Sequence, residues 1–85
     1  MKEIKYVVKD EQGLHARPAG ILVKETAKFP CDIKISCGDK KVDAKRLIGI
    51  MSMGVKCGNE ITMEFDGEQE AEAAEALKAF LEENL

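Results

Sequence analysis

Between Cys31 and Cys37 every second residue is apolar: Cys31, Ile33, Ile35 and Cys37 alternate with Asp32, Lys34 and Ser36. A period of two places the apolar set on one face of a strand and the polar set on the other. Ile61, Met63 and Phe65 repeat the pattern against Thr62 and Glu64 between Glu60 and Asp66. Ile4, Tyr6 and Val8 do the same between Glu3 and Val8, with Val7 thickening a β-branched run. Strands with one apolar face need a cover for that face, so the chain must be layered.

The segments between these strands supply the cover. Ala19, Leu22, Val23, Thr26 and Ala27 recur at three- and four-residue spacing, which predicts a helix from about Ala16 to Lys28, stopped by Pro30. Ile21 falls roughly 200° from Ala19 on that wheel, away from the core face. Gly38-Asp39 carries turn chemistry into a short, lysine-rich strand, Lys40 to Asp43, suited to a sheet edge. From Ala44 to Met53, Leu47, Ile48, Ile50, Met51 and Met53 put apolar side chains around most of a short helix. Such a helix is either buried on all sides or split, with some of these residues facing solvent. Gly54 to Asn59 reads as a glycine-bounded loop. A last helix starts near Glu68 and buries Ala73, Ala74, Leu77, Phe80 and Leu81. The order is β-α-β-β-α-β-α, an α+β arrangement in one domain of residues 1–85. Its economical packing is a four-stranded sheet with helices on one face and a right-handed first crossover.

Composition removes several functional classes. Hydrophobic residues form 45% of the 85, enough for a core. A net charge of −3, one Tyr and no Trp argue against nucleic-acid binding. No run is long enough for membrane insertion, and Met1-Lys2-Glu3 does not lead into a signal-peptide core. Cys31, Cys37 and Cys57 show no metal or redox spacing, and an odd number cannot all pair. They read as small buried apolar residues in a reducing compartment, hence the cytoplasm.

The remaining informative stretch is Gly13-Leu14-His15-Ala16-Arg17-Pro18-Ala19. It places the only histidine at the positive end of the first predicted helix, beside unpaired backbone N–H groups, with a proline suited to the first turn. A largely neutral imidazole is a competent nucleophile near pH 7, and a phosphoryl group on it would be stabilised by the helix end and Arg17. A cap or an ordinary surface histidine is the competing reading.

This stretch resembles the active-site signature of the HPr family, phosphocarriers of the bacterial sugar phosphotransferase system. Gly49-Ile50-Met51-Ser52-Met53-Gly54 resembles that family's second motif. The resemblance spans essentially the whole chain and implies an open-faced sandwich with an antiparallel sheet. It further implies that His15 accepts a phosphoryl group on Nδ1 from phospho-enzyme I and passes it to enzyme IIA domains of sugar permeases. Arg17 would balance the charge, and the N–H groups of the first turn, those of Ala16 and Arg17, would bind the oxygens. It also favours the split second helix, with Ile50 and Met53 inward and Leu47, Ile48 and Met51 outward, docking partners together with Gly20, Ile21 and Lys24. On this reading the protein is a monomeric, stoichiometric carrier rather than an enzyme, with no cofactor and no metal. Two alternatives belong to the same resemblance. One is an HPr-like module binding transcriptional or metabolic regulators; the other is a dedicated carrier for a non-sugar branch. Many members carry a regulatory serine at the start of the second helix, where this chain has Arg46, which offers no hydroxyl.

Overall fold

The computed structural model describes residues 1–85, and its seven elements follow the order read from the sequence. The strands are β1 (Lys2–Val7), β2 (Asp32–Cys37), β3 (Lys40–Asp43) and β4 (Glu60–Asp66); the helices are α1 (Ala16–Thr26), α2 (Leu47–Ser52) and α3 (Glu70–Asn84). The four strands form one antiparallel sheet in the order β1-β4-β2-β3. Both β1 and β2 are antiparallel to β4, so they run parallel to each other with β4 inserted between them.

The register explains why the sheet has one apolar face. Ile4 lies opposite Met63, Met63 opposite Ile35, and Ile35 opposite Val42, a row that crosses all four strands. The next row, Lys5, Thr62, Ser36 and Lys41, is polar and belongs to the other face. There the Lys41 ammonium pairs with the Glu64 carboxylate. On the apolar side Ile35, Ile61, Met63 and Phe65 are completely shielded from solvent. They join Ala19 and Leu22 of α1, Ile50 of α2 and the α3 stripe in a single apolar cluster. This is the open-faced sandwich, with three helices over a four-stranded sheet.

Element limits differ from the sequence reading where the backbone has other partners. α1 stops at Thr26, two residues before Lys28, because the Lys28 and Phe29 N–H groups turn back to Glu25 and Thr26 carbonyls just ahead of Pro30. Ala27 is therefore an exposed cap and not part of the buried face. α2 begins at Leu47, not Ala44: the Ala44 N–H is taken by Ile33 O at 2.9 Å and the Arg46 N–H by Asp43 O at 3.1 Å. α3 begins at Glu70 rather than Glu68, since Gly67 (φ +125°) and Gln69 (φ 63°) reverse the chain out of β4.

The cysteines also separate. Cys31 is buried, and burial pushes its thiol pKa above the ordinary value, partly offset by the nearby Lys45 charge. Cys37 is half-buried at the hairpin end and Cys57 is exposed in the loop before β4, so the reading of all three as buried holds only for the first. No helix is long and apolar enough to cross a membrane.

Candidate functional site

His15 is presented by a loop that is pinned on both sides. After β1, the N–H groups of Lys9 and Asp10 donate to the Leu85 main-chain oxygen at 2.5 and 2.8 Å. The Asp10 carboxylate then accepts the Gln12 N–H at 2.8 Å, and its carbonyl accepts the Gly13 N–H at 2.9 Å, closing a tight turn. Gly13 has φ +67° and lies so close to Val55 and Lys56 that a Cβ there would sit 2.7 Å from Lys56 Cα. Only glycine fits both constraints. Leu14 is buried and donates its N–H to Val55 O at 3.1 Å.

The chain then surfaces at His15, the N-cap of α1, in extended conformation (φ −88°, ψ −175°). Its carbonyl accepts the Ala19 N–H at 3.0 Å, but its imidazole makes no capping bond. The half-buried ring is therefore not spent on the helix, which removes the cap reading. Neither the Ala16 nor the Arg17 N–H has an acceptor within the protein. No acidic residue stands in the first turn to neutralise the positive end of α1. Pro18, buried in that turn, has no N–H to leave unsatisfied.

His15, Arg17, Pro18 and Ile21 line one shallow concavity of about 300 Å³ together with Asp10 and Asn84. The last two were not singled out from the sequence. Asp10 is hidden in a polar loop, and Asn84 arrives from the far end of α3, where its Nδ2 donates to Phe80 O at 3.0 Å. Only the tertiary fold brings them in. The concavity has the size for a small anion, with Arg17 and His15 in its lining and the open Ala16 and Arg17 N–H groups at the same helix end; Asp10 is the one acidic residue that lines it. No three metal-ligating side chains converge anywhere in the fold.

A second surface lies beside it. Ile50 of α2 points inward, as does Met53 just past its end, while Leu47, Ile48 and Met51 are exposed, Ile48 at 85%. Ile21 of α1 is exposed too, Gly20 is half-buried and Lys24 is solvent-facing. Arg46, Leu47, Ile48 and Gly49 bound an apolar groove of about 620 Å³. Arg46 is the N-cap of α2; its guanidinium is open to solvent, with Nε 3.8 Å from an Asp43 carboxylate oxygen. Ser52 Oγ is engaged within the helix, donating to Gly49 O at 2.7 Å.

Comparison with known proteins shows which family the chain resembles over its length. A family model described as the PTS HPr component phosphorylation site matches residues 2–83. The phosphocarrier protein HPr of Mycoplasma genitalium is 41% identical over 85 residues, 99% of this chain and 97% of that protein. Among solved structures, HPr-C-His from Thermoanaerobacter tengcongensis superposes with a TM-score of 0.92 at 43% identity, covering 96% of this chain and 92% of the other. Crh, the catabolite repression protein of Bacillus subtilis, described as a dimer with a swapped domain, matches at 40% identity with a TM-score of 0.78, covering 100% and 98%.

Proposed function

The chain belongs to the HPr family of phosphotransferase-system phosphocarriers, and from that premise we propose that it takes a phosphoryl group on His15 from phospho-enzyme I and hands it to the IIA units of sugar permeases. The observation that carries this reading is the imidazole at an open helix N-terminus, in one concavity with Arg17. The lone pair of Nδ1 attacks phosphorus in line as the bond from phosphorus to enzyme I breaks, and the same nitrogen later leaves when IIA attacks. Arg17 and the N–H groups of Ala16 and Arg17 bind the phosphoryl oxygens, so the charge that arrives meets donors already in place. The ring stands in a shallow surface site, which suits a nitrogen that two different proteins must reach. Such a protein is consumed and regenerated once per transfer, a carrier in the cytoplasm rather than a turnover enzyme.

Docking falls to the exposed apolar side chains of α2, Leu47, Ile48 and Met51, with Gly20 and Ile21 of α1 and steering by Lys24. The similarity to Crh supports a second reading, a regulatory module that binds other proteins through the same surface. The presence of His15 argues against that as the sole role. The test is incubation with enzyme I and phosphoenolpyruvate followed by intact mass. One phosphoryl group per chain is expected, labile in acid and stable in base as a phosphoramidate is, and absent from His15→Ala. Label that persists in that variant would sink the assignment.

A further inference from the structure

Thr26 is the only polar side chain buried in the fold, and it is completely shielded from solvent. Its hydroxyl lies 2.9 Å from Ala44 O, eighteen residues away in sequence, and 3.1 Å from Val23 O in its own helix. One residue further on, Lys45 Nζ donates to Phe29 O at 2.7 Å. Two consecutive positions ahead of α2 are thus tied to the last turn of α1 and the residues that follow it. The other side of that segment is held by the Ala44 N–H on Ile33 O and the Lys45 N–H on an Asp43 carboxylate oxygen, both at 2.9 Å.

α2 needs such an anchor. It has six residues and a single buried side chain, Ile50, so its own packing fixes its position only weakly. Yet it carries Leu47, Ile48 and Met51, while α1 carries His15 at its N-terminus and Ile21 along its side. We propose that Thr26, seconded by Lys45, is a positioning residue that sets the α2 docking face at a fixed offset from the His15 ring. This rests on the phosphocarrier reading and extends it. Two surfaces that must engage one partner together are held in register by a hydroxyl neither of them contains. Without the hydroxyl, the buried Ala44 carbonyl loses its donor, and the segment shifts to find another.

Thr26→Val keeps shape and β-branching and removes only the hydroxyl. In phosphoryl transfer from phosphoenolpyruvate-charged enzyme I, measured well below the melting temperature, its KM should rise about five- to tenfold with kcat within about twofold, and Thr26→Ser should restore the original KM. A merely structural threonine would lower the melting temperature and leave KM alone; that result overturns the proposal, as does failure of serine to rescue. Should Thr26→Val not fold, Lys45→Met takes its place, with Lys34→Met, exposed on the polar face of the sheet away from the helices, as the control for lost charge. A KM rise no larger than the control's overturns the proposal, and a larger one supports it. Absence of transfer in the unaltered protein would remove the carrier reading, and this one with it.

Discussion

Gly13→Ala offers the most stringent check on how the His15 loop is built. Two costs are separable in the structure. At φ +67°, alanine carries a left-handed backbone penalty of about 1–2 kcal/mol. Its Cβ would also overlap Val55 and Lys56, and moving them stretches the Leu14 N–H bond to Val55 O, worth a further ~0.5–1.5 kcal/mol net. The sum, about 1.5–3.5 kcal/mol, is a large share of the ~5–15 kcal/mol that holds a domain together. For a domain of this size it corresponds to a fall of roughly 6–28 °C in melting temperature. Gly38→Ala is the internal control. Gly38 has φ +62°, but a Cβ there meets nothing within 4 Å, so it reports the backbone penalty alone. Urea unfolding of the three proteins, with m-values compared, measures both numbers. Transfer should also slow in Gly13→Ala, since His15 lies two residues beyond the displaced contact. If Gly13→Ala is no less stable than Gly38→Ala, the close approach to Val55 is not what demands glycine, and the reasoning fails.

Arg17→Ala should slow phosphoryl transfer markedly while changing stability by no more than about 0.5 kcal/mol, because the side chain is exposed; lysine should recover only part, having charge without the planar fork. Equal transfer rates would remove Arg17 from the mechanism. Leu47→Glu or Met51→Glu should weaken binding to enzyme I and to IIA without loss of fold, as both side chains are solvent-facing; melts and titrations on the same samples separate the two effects. An ATP-dependent serine kinase should leave the protein unmodified, since Arg46 occupies the α2 cap and Ser52 Oγ is engaged inside the helix; phosphoserine in a tryptic map would contradict this. Iodoacetamide should alkylate Cys57 quickly and Cys31 only on unfolding, because burial disfavours the Cys31 thiolate, and peptide mapping over time distinguishes them.

Element order and both sheet faces were legible in the sequence because strand alternation and helical stripes are local signals, and each survives in the register as found. The in-or-out choice at Leu47, Ile48 and Met51 was not a local signal, and only the resemblance to the HPr family favoured the outward setting that the structure has. Five apolar residues on so short a helix are compatible with either packing, and only the neighbours of α2 decide. The premature end of α1 and the late start of α2 escaped for a related reason. Both depend on where a few backbone N–H groups find acceptors, such as Ala44 on Ile33, and no residue type announces that. The His15 stretch was readable as a helix start, but its concavity was not complete in sequence. Asn84 reaches it from the opposite end of the chain, and the support from Val55 comes through a backbone carbonyl, which any residue could supply.

The place of β4 between β1 and β2 has a consequence for how the protein comes into being. As the chain leaves the ribosome, β1 emerges first and finds no partner, since its only hydrogen-bonded neighbour is β4. β2 can pair with β3 early, across a two-residue turn, but that hairpin lacks the strand that joins it to β1. The sheet closes only when Asp66 is free of the exit tunnel. Until then Val55 is not held beside Leu14 by the strand that follows it, and the loop that presents His15 has no floor. Nascent chains halted before β4 should therefore be protease-sensitive throughout, and reactivity at His15 should arrive with the fold, all at once and late.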